Sequence, residues 1–562
     1  MALAAAQKTL PRQLHVPVAM RDGIRLSANV FLPSEHGRFP TILIRTPYGK
    51  GIGLTGNWQA FVDRGYAVVV EDVRGRYESE GNFEPLTQEP SDGNDTLNWI
   101  ARQTWSDGNI GMTGGSYLGI VQWKAAITGN PHLKAIFPVV SGYDDYMDRF
   151  YSTGGALKLG NRLLWMAENL RAPMYRADFS QFILHLPVRT ADLAATGQTS
   201  DMYRQAMAHP AYDGFWRTIS TREQIDKIRI PVFAVGGWYD NFAESDLAAF
   251  AALHKTSGLN RILIGPWPHN MSRQFAGVDF GPDAQMPVRQ LQLEWFDRWL
   301  MGKDSPLVSA LPVKIFIMGS NRWLETREWP PLNAETRNWY LDSGGNANTL
   351  NGDGTLGETI GPHSRQHASR DGFVYDPRDP APTRGGAVCC NPDVFPWGPM
   401  DQRPVEQRRD VLVYTSAVLT HDVEVAGPAR AVLYVSTSAK DTDFTAKLVD
   451  VFADGVARNL TDGILRLRYR NSLEKPEPAA PGETYRIAVD AGVTGNLFRK
   501  GHRIRLEVSS SNFPRFDRNL NTGGTTADET HPAKATQTVW HDRQRPSHLE
   551  LTIVPEGHTV SP

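Results

Sequence analysis

An α/β fold, with a parallel sheet covered on both faces and a separate β-sandwich after it, is the class that the sequence predicts. From about residue 17 to 143, and again from 226, apolar β-like runs alternate with helical stretches such as Gly93 to Gln103 and Ser245 to Lys255. That is the rhythm of strands joined by crossover helices. After about residue 310 the helical stretches give way to strand-like runs and Gly-, Asn- and Asp-rich turns, as in a sandwich. The 562 residues also exceed what one hydrophobic core usually holds, so several domains are expected.

Taken in order, Pro40 to Pro47 reads as a strand that delivers Tyr48 to its end. The apolar Ile110-Gly111-Met112 precedes Gly114-Gly115-Ser116-Tyr117-Leu118-Gly119, and a helix is expected from Tyr117 to Thr128. The stretch 144–225 lacks the alternation and holds aromatic, helix-capable material from Tyr151 to Tyr175 and from Phe179 to Trp216, which suits an inserted cap. Ile230 to Gly236 reads as a strand emptying into a loop with Asp240, and Arg261 to Gly265 as another followed by a loop with His269. In Tyr485 to Val489 and Ile504 to Val508 apolar side chains recur every second residue, the period of a packed β layer.

Ser116 carries the chemical signal. A strand entering a helix through Gly114 and Gly115 leaves the serine at a tight elbow, with its hydroxyl exposed and the next backbone N–H, that of Tyr117, turned toward the same centre. The G-x-S-x-G pattern asks for glycine two residues after the serine, where this chain has Leu118 and places its next glycine at Gly119. Successive parallel strands would gather Ser116, Asp240 and His269 along one sheet edge. A serine hydroxyl is a poor nucleophile until an imidazole takes its proton, and a carboxylate fixes the tautomer of that imidazole. Taken singly, Asp240 also reads as a turn-capping carboxylate and His269 as a loop histidine. Tyr48 is a candidate oxyanion donor, with a tyrosine packed at a strand end as the alternative.

These residues, with Met20 to Phe31, Arg45 to Lys50, Asp72 to Arg76, Trp238 to Asp240 and Gly265 to His269, resemble the CocE/NonD hydrolases. That family takes in bacterial cocaine esterase, alpha-amino acid ester hydrolases and X-prolyl dipeptidyl aminopeptidase-like enzymes. Tyr375 to Gly386, Ser436 to Phe444 and Gly501 to Phe516 extend the resemblance through the C-terminal part. It implies an α/β-hydrolase domain over 1–143 and 226–335, a helical cap over 144–225 and a jelly-roll β-sandwich over 336–562. It also implies a nucleophile at Ser116, an acid at Asp240, a base at His269 and oxyanion donors at Tyr48 and the Tyr117 N–H. Phe242 matches an aromatic wall of the acyl pocket, and Trp165 in the cap is a candidate substrate contact. Trp165, Phe182, Phe215 and Trp216 also read as packing residues. The expected reaction is ester hydrolysis through a covalent acyl-enzyme, with an aromatic or arylalkyl acyl group. Amidase, acylase, X-prolyl dipeptidyl aminopeptidase and alpha-amino acid ester hydrolase activities are the alternatives. An α-amino acyl group needs an anionic site, which the scattered Asp144, Asp145, Asp148 and Glu168 do not establish.

With 59 basic and 61 acidic residues and a formal charge of -2, the chain shows no polybasic signal for nucleic acid. Arg466 to Arg470 is broken by large apolar residues and reads as a solvated strand. No P-loop signature and no close-spaced metal-ligand motif occurs, so neither cofactor nor metal is expected. His185 and His209 are ambiguous loop or cap histidines. No run of 18 residues reads as membrane-spanning, and Met1 to Lys8 lacks the apolar core of a secretory signal, which favours a cytoplasmic protein. The expected partner is a small-molecule ester or amide, and a homo-oligomer is left open. The two cysteines, Cys389 and Cys390, are adjacent and are expected as buried free thiols, because neighbouring α-carbons lie closer than a usual bridge.

Overall fold

The computed structural model describes residues 11–365 and 368–555; the segment 1–8, read above for a secretory signal, lies outside them. The first strands are β1 (Arg12–Ala19), β2 (Arg25–Phe31), β3 (Phe39–Thr46), β4 (Ala67–Asp72), β5 (Ser106–Gly115) and β6 (Leu133–Val139). After an insertion come β7 (Phe233–Tyr239), β8 (Arg261–Pro268), a short ribbon of β9 (Gln274–Phe275) and β10 (Val278–Asp279), then β11 (Val313–Ile317) and β12 (Arg322–Thr326). Ten of these form one sheet in the order β1-β2-β4-β3-β5-β6-β7-β8-β11-β12. From β4 to β11 neighbours run parallel, whereas β1, β2 and β12 are antiparallel additions at the edges.

The sheet is covered on both faces, which is why its strands read as nearly continuous apolar runs. The helices of this part are α1 (Gly56–Asp63), α2 (Glu89–Ala101) and α3 (Tyr117–Ala126), with others after the insertion. Leu43, Val69 and Met112 share a buried cluster with Leu97 and Ile100 of α2 and Val121 of α3. The alternating partners Ile42, Ile44 and Val68 face Phe61 and Val62 of α1. The period-2 alternation of a strand sends adjacent side chains to opposite layers.

Between β6 and β7 the chain forms α4 (Leu159–Asn169), α5 (Phe179–Phe182), α6 (Ala191–Thr196), α7 (Asp201–Ala208) and α8 (Gly214–Ile219). These helices have an apolar cluster of their own, with Tyr146, Leu163, Phe182, Tyr203 and Trp216 buried in it. Two helices then return to the sheet, α9 (Ala243–His254) and α10 (Val288–Met301). Leu247 and Phe250 of α9 join the face of α2 and α3, and Trp295 and Phe296 of α10 the face of α1.

β7 runs three residues further than its apolar stretch predicts, through Gly237 to Tyr239. At Gly237 a Cβ would stand 2.2 Å from Trp267 O. Glycine lets β7 and β8 stay paired there, with Gly237 opposite Gly265.

The C-terminal part is rich in β-strands: β13 (Glu335–Asp342), β14 (Thr355–Gly357), β15 (Arg370–Tyr375), β16 (Leu412–Ser416), β17 (Val423–Thr437) and β18 (Asp443–Val451). It continues with β19 (Ala457–Arg466), β20 (Tyr485–Phe498), β21 (Arg503–Ser509), β22 (Ala535–Trp540) and β23 (His548–Val554). All eleven belong to one hydrogen-bonded network. Ile487 and Val489 are buried while Arg486 and Ala488 are exposed, as the alternation predicts. On β21 the intervening Arg505 and Glu507 are buried as well, paired with Glu406 at 2.6 Å and Lys447 at 3.0 Å. Arg466 to Arg470 is not a solvated strand. Arg466 is buried between Asp443 and Asp517, each at 2.9 Å, and Arg468 reaches Asp441 at 2.7 Å. Carboxylates far away in sequence neutralise the basic run.

The β-rich part grips the α/β lobe and its insertion through both backbone and side chains. Met318 N donates to Gly495 O at 2.9 Å, Leu497 N returns to Met318 O at 2.8 Å, and Leu157 N donates to Asp517 Oδ1 at 2.9 Å. Trp238, Phe316 and Ile317 lie in the same buried cluster as Val425, Phe498 and Leu551. A chain cut before residue 335 is therefore expected to expose this apolar surface and collect in the insoluble fraction. Soluble yield and the thermal midpoint check this, and a soluble monomer of unchanged midpoint would show that the β-rich part gives no support.

Candidate active site

Ser116 is the single residue between β5 and α3, with φ 57° and ψ -125°. A non-glycine residue in the left-handed region is strained and persists only where its surroundings over-determine it. Here Ser116 N donates to Val139 O at 2.9 Å, and Ser116 O accepts from Gly119 N at 2.8 Å and Ile120 N at 3.0 Å. The serine is thus tied to β6 on one side and to the first helical turn on the other. A Cβ at Gly119 would lie 2.5 Å from Ser141 Cβ. This accounts for the departure from G-x-S-x-G: the close approach that demands glycine falls one residue later, where α3 crosses the loop after β6. As the first helical residue, Tyr117 has an N–H with no partner inside its helix.

The Tyr117 side chain points away from that N–H into a buried polar cluster. Its hydroxyl donates to Glu89 Oε1 at 2.6 Å, and Glu89 Oε2 accepts from Arg45 Nη1 at 2.6 Å. Arg45 Nε donates to Glu71 Oε1 at 2.7 Å, and Thr96 Oγ1 to Glu71 Oε2 at 2.8 Å. Burial pushes the Glu71 carboxyl up to about 7 against the pull of Arg45. The cluster anchors the residue after Ser116, and breaking such a buried pair typically costs about 3–5 kcal/mol. Sequence reasoning missed it. The signal was a charged residue closing each of two apolar strands, Arg45 on β3 and Glu71 on β4.

Asp240 follows β7 and His269 follows β8, the neighbouring parallel strand. His269 Nδ1 is 2.5 Å from Asp240 Oδ2, while Asp240 Oδ1 accepts from Phe242 N at 3.0 Å. The aspartate therefore both caps its turn and holds the imidazole, one oxygen for each. Asp246, behind it, is pushed well above the ordinary carboxyl range by burial and by the charge of Asp240. The Phe242 ring lies 5.9 Å from the His269 ring and also lines the pocket at Ser116. No hydrogen bond joins Ser116 to His269 among the described residues. Such bonds often form only once substrate is in place.

Tyr48, just past β3, lines that pocket too. Its ring is partly open to solvent, but burial of its hydroxyl holds the phenol above its ordinary value, beside Trp165 and Ser116. Trp165 Nε1 donates to Tyr48 Oη at 3.1 Å, and the Trp165 ring stacks on Tyr117 at 6.3 Å and 5°. Trp165 thus touches both residues proposed to hold an oxyanion. With one lone pair of Oη taken by the indole, the phenolic proton is left for another acceptor. Trp165→Phe keeps an aromatic ring, though a smaller one, and removes the donor, so acylation is expected to slow roughly 3- to 10-fold, the worth of one hydrogen bond. Stopped-flow acylation rates check this; an unchanged rate would leave Trp165 as a packing residue.

The other cap aromatics are not at the pocket. Phe182 and Trp216 are buried in the cap cluster, and Phe215 stacks on His209 at 4.5 Å. His185 Nε2 meets Thr190 Oγ1 at 2.8 Å. Of the scattered acids only Asp148 lines the pocket. Its Oδ2 already accepts from Tyr143 N at 2.8 Å, Asp144 N at 2.6 Å and Ser245 Oγ at 2.6 Å, and burial pushes it up to about 7. Asp145 is held by Lys124 and Arg149, and Glu168 by Asn391 at 3.0 Å. Arg162, which sequence reasoning did not single out, also lines the pocket. Its Nε and Nη2 donate to Arg149 O at 3.1 and 2.9 Å, and burial lowers it to about 9.

Cys389 and Cys390 complete the wall, and they are joined in a disulfide rather than free. The α-carbons are 3.3 Å apart, closer than a usual bridge, as expected of neighbours, but that closeness does not keep the two sulfurs apart. Cys389 N is tied to Asn161 Oδ1 on α4 at 3.2 Å, so a loop of the β-rich part reaches the pocket. The cavity is narrow, about 40 Å³.

A strained serine between a central strand and its helix, with a carboxylate–imidazole pair at the ends of two further parallel strands, is the layout of an α/β-hydrolase using serine chemistry. The pattern of the X-Pro dipeptidyl-peptidase (S15 family) matches residues 22–271, and that of the X-Pro dipeptidyl-peptidase C-terminal non-catalytic domain matches 309–550. The cocaine esterase of Rhodococcus sp. (strain MB1 Bresler) is 40% identical over 96% of this chain and 98% of its own length. An alpha-amino acid ester hydrolase structure superposes with a TM-score of 0.83 at 26% identity, covering 98% of each chain. An aminopeptidase from a marine sediment Thaumarchaeota archaeon superposes at 0.84 and 25% identity, over 97% of this chain and 96% of its own. The chain belongs to the CocE/NonD family of serine hydrolases and is a serine carboxylic-ester hydrolase.

Proposed function

We propose that this enzyme hydrolyses esters of aromatic or arylalkyl carboxylic acids through an acyl-enzyme on Ser116. The observation that carries the reading is the shared pocket, where the strained Ser116 elbow meets Tyr48, Trp165 and Phe242 beside the 2.5 Å Asp240–His269 pair. Ser116 Oγ attacks the acyl carbonyl as His269 takes its proton, and Asp240 stabilises the imidazolium. The Tyr48 hydroxyl and the Tyr117 N–H donate to the tetrahedral oxyanion. His269 then protonates the leaving alkoxide, and a water activated by the same imidazole releases the acid. Phe242 and Trp165 form the acyl wall. At about 40 Å³ the cavity is smaller than ligand pockets of roughly 300–1,000 Å³, so side chains such as Trp165 and Met202 must turn to seat a ring.

The Rhodococcus relative, a cocaine esterase, supports an ester over an amide bond. A panel with one arylalkyl acyl group on ester, amide and proline-linked dipeptide leaving groups is expected to favour the ester in kcat/KM. Preferential cleavage of the proline-linked dipeptide would overturn the substrate class. A cytoplasmic setting and any homo-oligomer belong to the proposal as well, and cell fractionation and light scattering test them; among the described residues no helix is long and apolar enough to cross a membrane.

A further inference from the structure

A second cavity, about 380 Å³, lies where the catalytic lobe meets the β-rich part, and it is lined by different residues from the Ser116 pocket. From the catalytic lobe come Tyr239, Val278 and Phe280; from the β-rich part come Phe452, Arg458 and Asn496. Its volume is in the range of small-molecule sites, which favour domain junctions. We propose that it binds a small organic carboxylate with an aromatic or apolar body, with the carboxylate on Arg458 and Asn496 and the body between Phe280 and Phe452.

The polar groups support an anion. Arg458 lies over the Phe452 ring at 5.2 Å and has no carboxylate or other hydrogen-bond acceptor among the described residues. Asn496 is 2% exposed, and its Nδ2 makes no hydrogen bond of good geometry, its nearest acceptor being the Asp450 carboxylate, which the amide helps to keep ionised. A buried donor without a partner is costly, and a ligand oxygen is the natural remedy. Asp450 is the carboxylate of the lining; it is paired with His502 Nδ1 at 2.8 Å and feels the charge of Arg458 only from beyond salt-bridge distance. Arg499, a further guanidinium on the lining, donates Nε to Gly319 O at 2.9 Å. Two guanidinium groups thus face one carboxylate that already has a partner.

The body of the ligand follows from the remaining walls. Aromatic rings of Phe280, Phe452 and Tyr239 surround the space, which suits a flat apolar group better than a bare inorganic anion. Tyr239 immediately precedes Asp240, and its hydroxyl donates to Asn459 O at 3.1 Å. Occupancy therefore adjoins the strand end that carries the candidate acid without entering the Ser116 pocket.

Calorimetric titration of the full chain with sodium phenylacetate tests the proposal, with benzyl alcohol and inorganic phosphate as controls. One equivalent of phenylacetate is expected to bind, and both controls more weakly. Arg458→Met is expected to weaken phenylacetate at least about tenfold, the loss of a charge-assisted hydrogen bond, while ester turnover and the thermal midpoint stay at wild-type values. Val278→Trp fills the cavity from the other lobe and is expected to abolish binding, which guards against misfolding of one variant. No heat of binding up to 10 mM, about the weakest affinity that an ion pair and a ring would give, would overturn the site. So would an affinity unchanged in both variants. Phosphate binding as tightly as phenylacetate would overturn the ligand class.

Discussion

Ser116→Ala is expected to lower ester turnover by about 10⁵-fold or more, the scale of removing a serine nucleophile, and to abolish labelling by a fluorophosphonate. The reason is chemical. The Ser116 oxygen is the atom proposed to bond to the acyl carbon, and neither the Asp240–His269 pair nor Tyr48 can replace it. Alanine meets the same backbone strain at φ 57° and keeps the hydrogen bonds of Ser116 N and O, so the thermal midpoint is expected to stay put. Wild-type turnover in this variant, with contamination excluded, would remove Ser116 from the mechanism. Failure of the folded wild type to label would also count against it.

Tyr48→Phe is expected to slow acylation by roughly 100- to 1,000-fold, the worth of one oxyanion donor in a dry site. Burial raises the phenol above its ordinary value, and the sign matters. A raised value keeps the hydroxyl protonated, and so able to donate, up to and beyond the pH at which an exposed tyrosine ionises. Loss of this donor is therefore not expected on the alkaline limb below about pH 10, the ordinary tyrosine value. The variant also leaves Trp165 Nε1 without its acceptor, so the much smaller loss in Trp165→Phe separates the two effects. Pre-steady-state acylation against pH checks both, and a normal rate in Tyr48→Phe would end the oxyanion role.

Much of the fold was legible because strands buried on both faces are apolar along their length. β3, β7 and β8 could be read from Pro40 to Pro47, Ile230 to Gly236 and Arg261 to Gly265. The helices α2, α3 and α9 lie within a few residues of their expected positions. The candidate site was legible to the extent that each member follows such a strand. Less legible was anything set by a distant partner. Asp240 looked like a turn cap or a catalytic acid, and it makes contacts of both kinds. Phe182 and Trp216 resembled Trp165 in type and setting, yet only Trp165 lines the pocket.

By itself the sequence determined the order of strands and helices and the loops on which Ser116, Asp240 and His269 sit, because those features follow from side-chain period and from residues a few places apart. The tertiary structure alone decided the rest. It brought Trp165 to Tyr48 across 117 residues and Cys389 to Asn161 across 228. It closed Cys389 and Cys390 into a disulfide and buried Arg466 between Asp443 and Asp517. It also left Arg458 over Phe452 without a carboxylate partner. Such contacts depend on how two packed layers meet, and no local period encodes that meeting: the burial that fixes a side chain's partner, and shifts its charge, comes from chain folded far from it.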